Sequence, residues 1–219
     1  MSARSATAAI RVEPHTSASV GVRGGKRRRD IFKGLHDCVL DRGYARTTLA
    51  DIARAARMSP SHLLYYFPGK DAILEEYFAE VARRIIERIH GFRTESPERQ
   101  ILLLAELFFS GRKVPKSEIG FMLECFGVAV HDKYLNREKS ELDRFCKNYL
   151  RELFEKMPGG PARARDASEV AYAMLVGLRT AEYFDERLSP DHVRRLFHSE
   201  VLNLANSPRG AQAKKPRRR

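Results

Sequence analysis

Ser59, Pro60, Ser61 and His62 open a short segment of helical periodicity, and their side chains suit one kind of chemistry, the reading of base edges. An imidazole donates to or accepts from a base, a serine hydroxyl does either, and a proline ring can touch a thymine methyl. Pro60, Ser61 and His62 are therefore the candidate base contacts, although His62 also reads as an exposed residue of a capping turn. Catalytic constellations are absent: the chain has no Walker loop, GxGxxG, HExxH or nucleophile elbow. Cys38, Cys125 and Cys146 are far apart among apolar neighbours, which favours buried reduced thiols over a metal site. The sequence predicts a protein that is not an enzyme and uses no cofactor and no metal.

Charge points the same way. Residues 26–70 hold ten Lys or Arg against four Asp, whereas residues 71–205 hold 21 against 23 acidic residues. Residues 206–219 add six basic residues and no acid. Positive charge segregated onto one small segment and a tail is the electrostatic footprint of a nucleic-acid binder. Residues 1–25 and 206–219 lack the apolar content of a core and read as disordered tails, the second ending in a basic run, KKPRRR. By composition that run suits either a nuclear import signal or a tail adding salt-sensitive DNA affinity. No secretory signal and no membrane-spanning run is apparent, so a cytoplasmic protein is expected.

The elements that position these residues are all helical. Ile31, Phe32, Leu35, Cys38 and Val39 share one face of a helix over 26–42, which Gly43 ends in a left-handed turn. Thr48 with Asp51 has the spacing of a capping box, opening a second helix with Ile52, Ala53 and Ala56 inside. Ser59 and Pro60 suit the N-cap and first turn of a third helix, which stops at Pro68. Residues 48–67 thus read as a helix-turn-helix within a DNA-binding domain at 26–70. Further helices are expected from Asp71 to Gly91 and over 97–110, 116–131, 134–157, 166–185 and 189–205, with no strand signal. The fold class is all-α, with about nine helices and a second helical domain at 71–205. Gly34 and Gly127, both inside helices, suggest close packing of a neighbouring helix.

The stretch Arg28–Tyr77 resembles the DNA-binding region of the Tet repressor (TetR) family. Gly43-Tyr44, Thr47-Thr48, Ile52-Ala53, Ser59, Tyr65-Tyr66, Phe67, Lys70 and Ile73-Leu74 occur in the order of that family's pattern. Arg57 stands where the family usually has a turn glycine, so a non-glycine residue is expected at positive φ. Leu64 replaces a tyrosine that usually touches phosphate, which shifts that contact to Tyr65. With the motif placed, Arg46, Thr48, Tyr65 and Lys70 become the candidate phosphate ligands, and Lys26–Arg29 a basic run able to follow the DNA backbone.

The resemblance also implies a repressor, a homodimer and an effector cavity. Two apolar stripes on 166–185, one of them carrying Tyr172, Val176 and Tyr183, suggest a helix covered on one side by a partner subunit, together with 189–205. Glu124, a carboxylate within an otherwise apolar helix, reads as turned to the surface, as paired, or as a polar anchor in a cavity lined by Leu103, Leu107, Phe121, Met122 and Phe126. An ordinary core is the simpler reading of any one of those apolar residues. The expected function is a sequence-specific regulator that binds double-stranded operator DNA and is released by a small apolar ligand. The alternative is a sequence-blind architectural DNA binder.

Overall fold

The structure is a computed structural model and describes residues 22–206 other than Lys113. The described residues form nine helices and no strand: α1 (Val22–Arg42), α2 (Leu49–Ala55), α3 (Pro60–Tyr66), α4 (Lys70–His90), α5 (Pro97–Phe109), α6 (Lys116–Ala129), α7 (Lys133–Phe154), α8 (Pro161–Phe184) and α9 (Pro190–Asn206). None of them is long and apolar enough to cross a membrane. The basic C-terminal run lies outside the described residues. At the other end α1 begins at Val22, so the last residues assigned to an N-terminal tail are helical. Helix α8 begins earlier than its apolar stripe suggested, because Gly160, at φ 64°, turns the chain and Pro161 fits the first helical position.

Local signals set the first three helices. Gly43 adopts φ 79° and its N–H donates to the Val39 carbonyl at 2.8 Å, ending α1. Thr48 and Asp51 form both halves of a capping box on α2, and the Ser59 hydroxyl accepts from the His62 N–H at 3.1 Å on α3. Arg57 holds φ 55° in the turn between α2 and α3, the strained geometry expected there. A Cβ on Gly34 would stand 3.0 Å from the Ile52 carbonyl and 3.2 Å from the Ala56 nitrogen, so α1 needs glycine there to seat α2 closely. Gly127 faces open space instead, and nothing in the fold requires a glycine there.

Two apolar clusters organise the molecule. One gathers Ile31, Leu35, Ile52, Ala53, Leu63 and Phe67 of the first three helices with Ile73, Leu74 and Phe78 of α4, and continues into Phe121, Cys125 and Ala129 of α6. The other joins α4, α5, α7, α8 and α9 around Ile85, Leu107, Phe109, Phe154 and Phe197. Helix α4, 21 residues or about 30 Å long, contributes to both, and α6 is built into the cluster beneath the helix-turn-helix.

Candidate nucleic-acid interface and effector cavity

Helix α3 is held by its inner side only. Leu63 and its C-cap Phe67 are fully buried, whereas Pro60, Ser61 and His62 are exposed and Tyr65 is 82% exposed. Tyr66 is half-buried and packs against both His62 (5.5 Å between ring centroids) and Tyr65 (5.3 Å). The three residues expected at the base edges and the phosphate candidate Tyr65 thus share one exposed surface. Leu64, half exposed, lies beside them.

The other phosphate candidates are engaged within the protein. The Thr48 hydroxyl accepts from the Asp51 N–H at 3.2 Å and donates to its carboxylate at 2.5 Å. The bonds its carboxylate accepts from the Thr48 hydroxyl and from the Thr48 N–H (3.1 Å), with Arg42 and Arg54 nearby, hold the Asp51 carboxyl below the usual carboxylate range. Arg46 is exposed and donates through Nε to the Arg42 carbonyl at 2.7 Å, beside the end of α1. Lys70 points inward: its Nζ donates to the Tyr44 carbonyl at 3.2 Å and the Thr47 carbonyl at 3.0 Å, and lies 4.4 Å from the centre of the Tyr44 ring. Within the basic run, Arg28 grips both carboxylate oxygens of Glu76 at 3.2 and 2.8 Å and lies over the Phe67 ring at 4.6 Å, bracing α1 on α4 and the end of α3.

The turn at 43–47 is a junction that sequence reasoning did not anticipate. Besides receiving Lys70, it sends the Tyr44 hydroxyl to Asp71 at the start of α4 and the Tyr44 N–H to the Glu124 carboxylate on α6 at 3.0 Å. Burial and the Asp71 carboxylate push the Tyr44 phenol well above its ordinary range, so it stays a neutral donor. These partners are separated by 27 and 80 residues, distances over which no spacing rule operates.

A cavity of about 100 Å³ lies between α4, α6, α7 and α8, closed in part by Phe108 of α5 and Val114. Of the six residues suggested from sequence, Met122 and Phe126 line it. The structure puts the other four elsewhere. Leu107 is buried in the larger apolar cluster and Leu103 packs on it. Phe121 is turned into the cluster under the helix-turn-helix, stacked on His36 (5.1 Å) and tilted against Tyr77 (4.9 Å). Glu124, the supposed anchor, is exposed on the opposite side of α6 and bound to the Tyr44 N–H.

Polar groups on the cavity wall come instead from Glu118, Asp143, Arg179 and Thr180. Asp143 pairs with Lys139 at 2.5 Å and accepts from the Tyr172 hydroxyl, a phenol that burial and this carboxylate keep protonated. Arg179 donates to the Phe108 carbonyl, and burial lowers its pKa to about 10, so it remains a cation at neutral pH. Burial raises the Cys146 thiol to about 12, leaving a weakly polar, unreactive wall.

The apolar stripe of α8 suggested for a dimer partner is largely used inside the protomer. Tyr172 and Val176 line the cavity. Tyr183 packs on α6 so closely that a Cβ on Gly120 would fall 2.6 Å from its hydroxyl. The face left uncovered carries Val170 (47% exposed) and Phe184 (71% exposed), with Ala173 and Gly177 between them and Leu196 of α9 also exposed.

This arrangement, an exposed recognition helix on a helical body with a partly open cavity, has counterparts. Residues 31–77 match the profile of bacterial regulatory proteins of the tetR family, and residues 97–206 match that of the BetI-type transcriptional repressor C-terminal domain. The chain belongs to the TetR family. TetR-type regulators bind operator DNA and act as dimers, and this chain is a DNA-binding transcriptional regulator of the TetR/BetI type rather than an enzyme. It is similar to the HTH-type transcriptional regulator BetI 2 of Chromohalobacter salexigens, 28% identical over 184 residues that cover 81% of this chain and 88% of the relative. BetI 1 of the same organism is 28% identical over 155 residues, covering 69% and 76%. Among solved structures, a transcriptional regulator from Pseudomonas aeruginosa PAO1 superposes with TM-score 0.72 at 15% identity, over 84% of this TetR-family chain and 92% of its own. A regulator from Saccharomonospora viridis in complex with choline does so with TM-score 0.69 at 18% identity, over 81% and 96%.

Proposed function

We propose that this TetR-family protein is a repressor that reads a two-fold symmetric operator through α3 and leaves it when a small molecule fills the α4–α6–α7–α8 cavity. One observation carries the reading: a capped recognition helix with its outward residues bare is tied through one apolar cluster to α4 and α6, the helices that also wall an apolar cavity. On the DNA, Pro60, Ser61 and His62 face base edges and Tyr65 a phosphate, while Arg46 and the N-terminal turn of α2 at Thr48 flank the backbone. Lys70 acts by fixing the turn beneath them. The partner subunit covers Val170, Ala173, Gly177 and Phe184 of α8 with Leu196 of α9, placing two α3 helices one DNA turn apart, about 34–36 Å, or a multiple of it.

The effector is small and mainly apolar, in keeping with a cavity of about 100 Å³ walled by Phe108, Met122, Phe126 and Leu142. Choline is the first compound to titrate, because the Saccharomonospora viridis neighbour holds it and aromatic faces beside Glu118 attract a quaternary ammonium.

Selection from random DNA tests the regulator reading. It should return inverted half-sites, and His62→Ala should relax preference at one position of each. An absent or asymmetric motif refutes it and favours an architectural binder that ignores sequence.

A further inference from the structure

We infer that Glu124 is the positioning residue through which the state of the cavity reaches the recognition helix, by way of its hydrogen bond to the 43–47 turn. The inference rests on the cavity reading above and adds to it a specific route.

Helix α6 presents different faces to two parts of the molecule. Met122 and Phe126 face the cavity. Phe121 and Cys125 enter the cluster beneath the helix-turn-helix. On the side of α6 away from the cavity, Glu124 extends to the end of α1, where its carboxylate accepts the Tyr44 N–H at 3.0 Å and lies over Gly43 with Oε2 3.6 Å from where a Cβ would stand. The Tyr44 N–H follows the positive-φ Gly43, and α1 supplies no carbonyl for it, so Glu124 provides the acceptor.

What the turn holds makes this contact more than a surface bond. Its Tyr44 and Thr47 carbonyls receive Lys70, its Tyr44 hydroxyl reaches Asp71, and Thr48 immediately after it caps α2, the helix that supports α3. A displacement of α6 therefore moves the turn, the start of α4 and the cap of α2 together. The apolar contacts of Phe121 and Cys125 can slide, whereas a hydrogen bond to one N–H fixes a direction. That directionality makes Glu124, rather than the buried residues beside it, the link.

The test needs no identified effector. Val176→Trp places an indole in the cavity and stands in for a ligand, with the selected operator as the DNA. With Glu124 intact, Val176→Trp should weaken operator binding by about 5-fold or more, the lower end of ordinary allosteric coupling. In a Glu124→Ala background the same substitution should change affinity by less than about 2-fold. In a Glu124→Gln background, where the side-chain carbonyl still accepts the Tyr44 N–H, the full effect should return. Amide exchange gives a second readout: the Tyr44 N–H should exchange faster in Val176→Trp and faster still in Glu124→Ala, with α5 and α9 protection unchanged. An equal loss of affinity with and without Glu124 overturns the link while leaving the cavity reading intact. No loss of affinity in any background overturns the cavity reading, and the link with it.

Discussion

Removing the ammonium of Lys70 separates two roles that a lysine at the start of α4 can play. The structure gives it two charge-assisted hydrogen bonds, to the Tyr44 and Thr47 carbonyls at 3.2 and 3.0 Å, and a place over the Tyr44 ring. Hydrogen bonds to charged groups contribute about 1.5–3 kcal/mol each when well buried. Lys70 is only half-buried, so water screens part of that and the pair with its ring contact is worth about 2 kcal/mol in all. Lys70→Met, which keeps the apolar stem, should lower Tm by about 4–8 °C, taking roughly 2–4 °C per kcal/mol for a chain of this size. Operator affinity should fall as well, because the turn supporting α2 loosens, yet the slope of log affinity against log salt should stay the same. A lysine bound to phosphate predicts the reverse pattern: an unchanged Tm and a slope flatter by about 0.9. Thermal melts by circular dichroism and binding isotherms at several salt concentrations decide between them. A flattened slope with an unshifted melt would refute the structural role assigned here.

Val170→Asp places a charge on the uncovered face of α8 and should yield a folded monomer by sedimentation, with operator affinity reduced at least tenfold; a variant that stays dimeric moves the interface elsewhere. His36 supplies a pH test. It is half-buried, stacked on Phe121, with Nδ1 3.2 Å from the Tyr77 hydroxyl. Burial lowers its pKa, reinforced by Lys33 and Arg84 and opposed by Asp37. The unfolded chain then binds a proton before the folded one does, so stability should fall as pH drops through about 6.5 and below. Denaturant midpoints should show that decline in the native protein and a flatter profile in His36→Gln; identical profiles would remove His36 as the cause.

Much of the DNA-binding unit was legible in the sequence because its signals act over a few residues. Thr48 and Asp51 cap one helix, Ser59 and Pro60 start the next, and Gly43 ends α1, each through bonds spanning four residues or fewer. The positive φ of Arg57 was implied by the family resemblance, in which a glycine usually stands at that turn. Exposure of Pro60, Ser61, His62 and Tyr65 followed from periodicity, since Leu63 and Phe67 claim the inner face of α3.

The cavity was not legible in the same way. Leu103, Leu107, Phe121 and Met122 are chemically alike, and a helix buried on several sides does not declare which apolar side chain meets a core and which meets empty space. That choice depends on helices brought together from distant parts of the chain. It turned Phe121 toward His36, Glu124 toward Tyr44, and Val176 and Tyr183 inward, away from the face open to a partner. For the same reason, spacing could not show that the Tyr44 and Thr47 carbonyls of the 43–47 turn come within reach of Lys70, whose position after the turn suits a phosphate. Short-range hydrogen bonds and periodicity thus specified the recognition helix, while long-range packing alone decided what stands behind it.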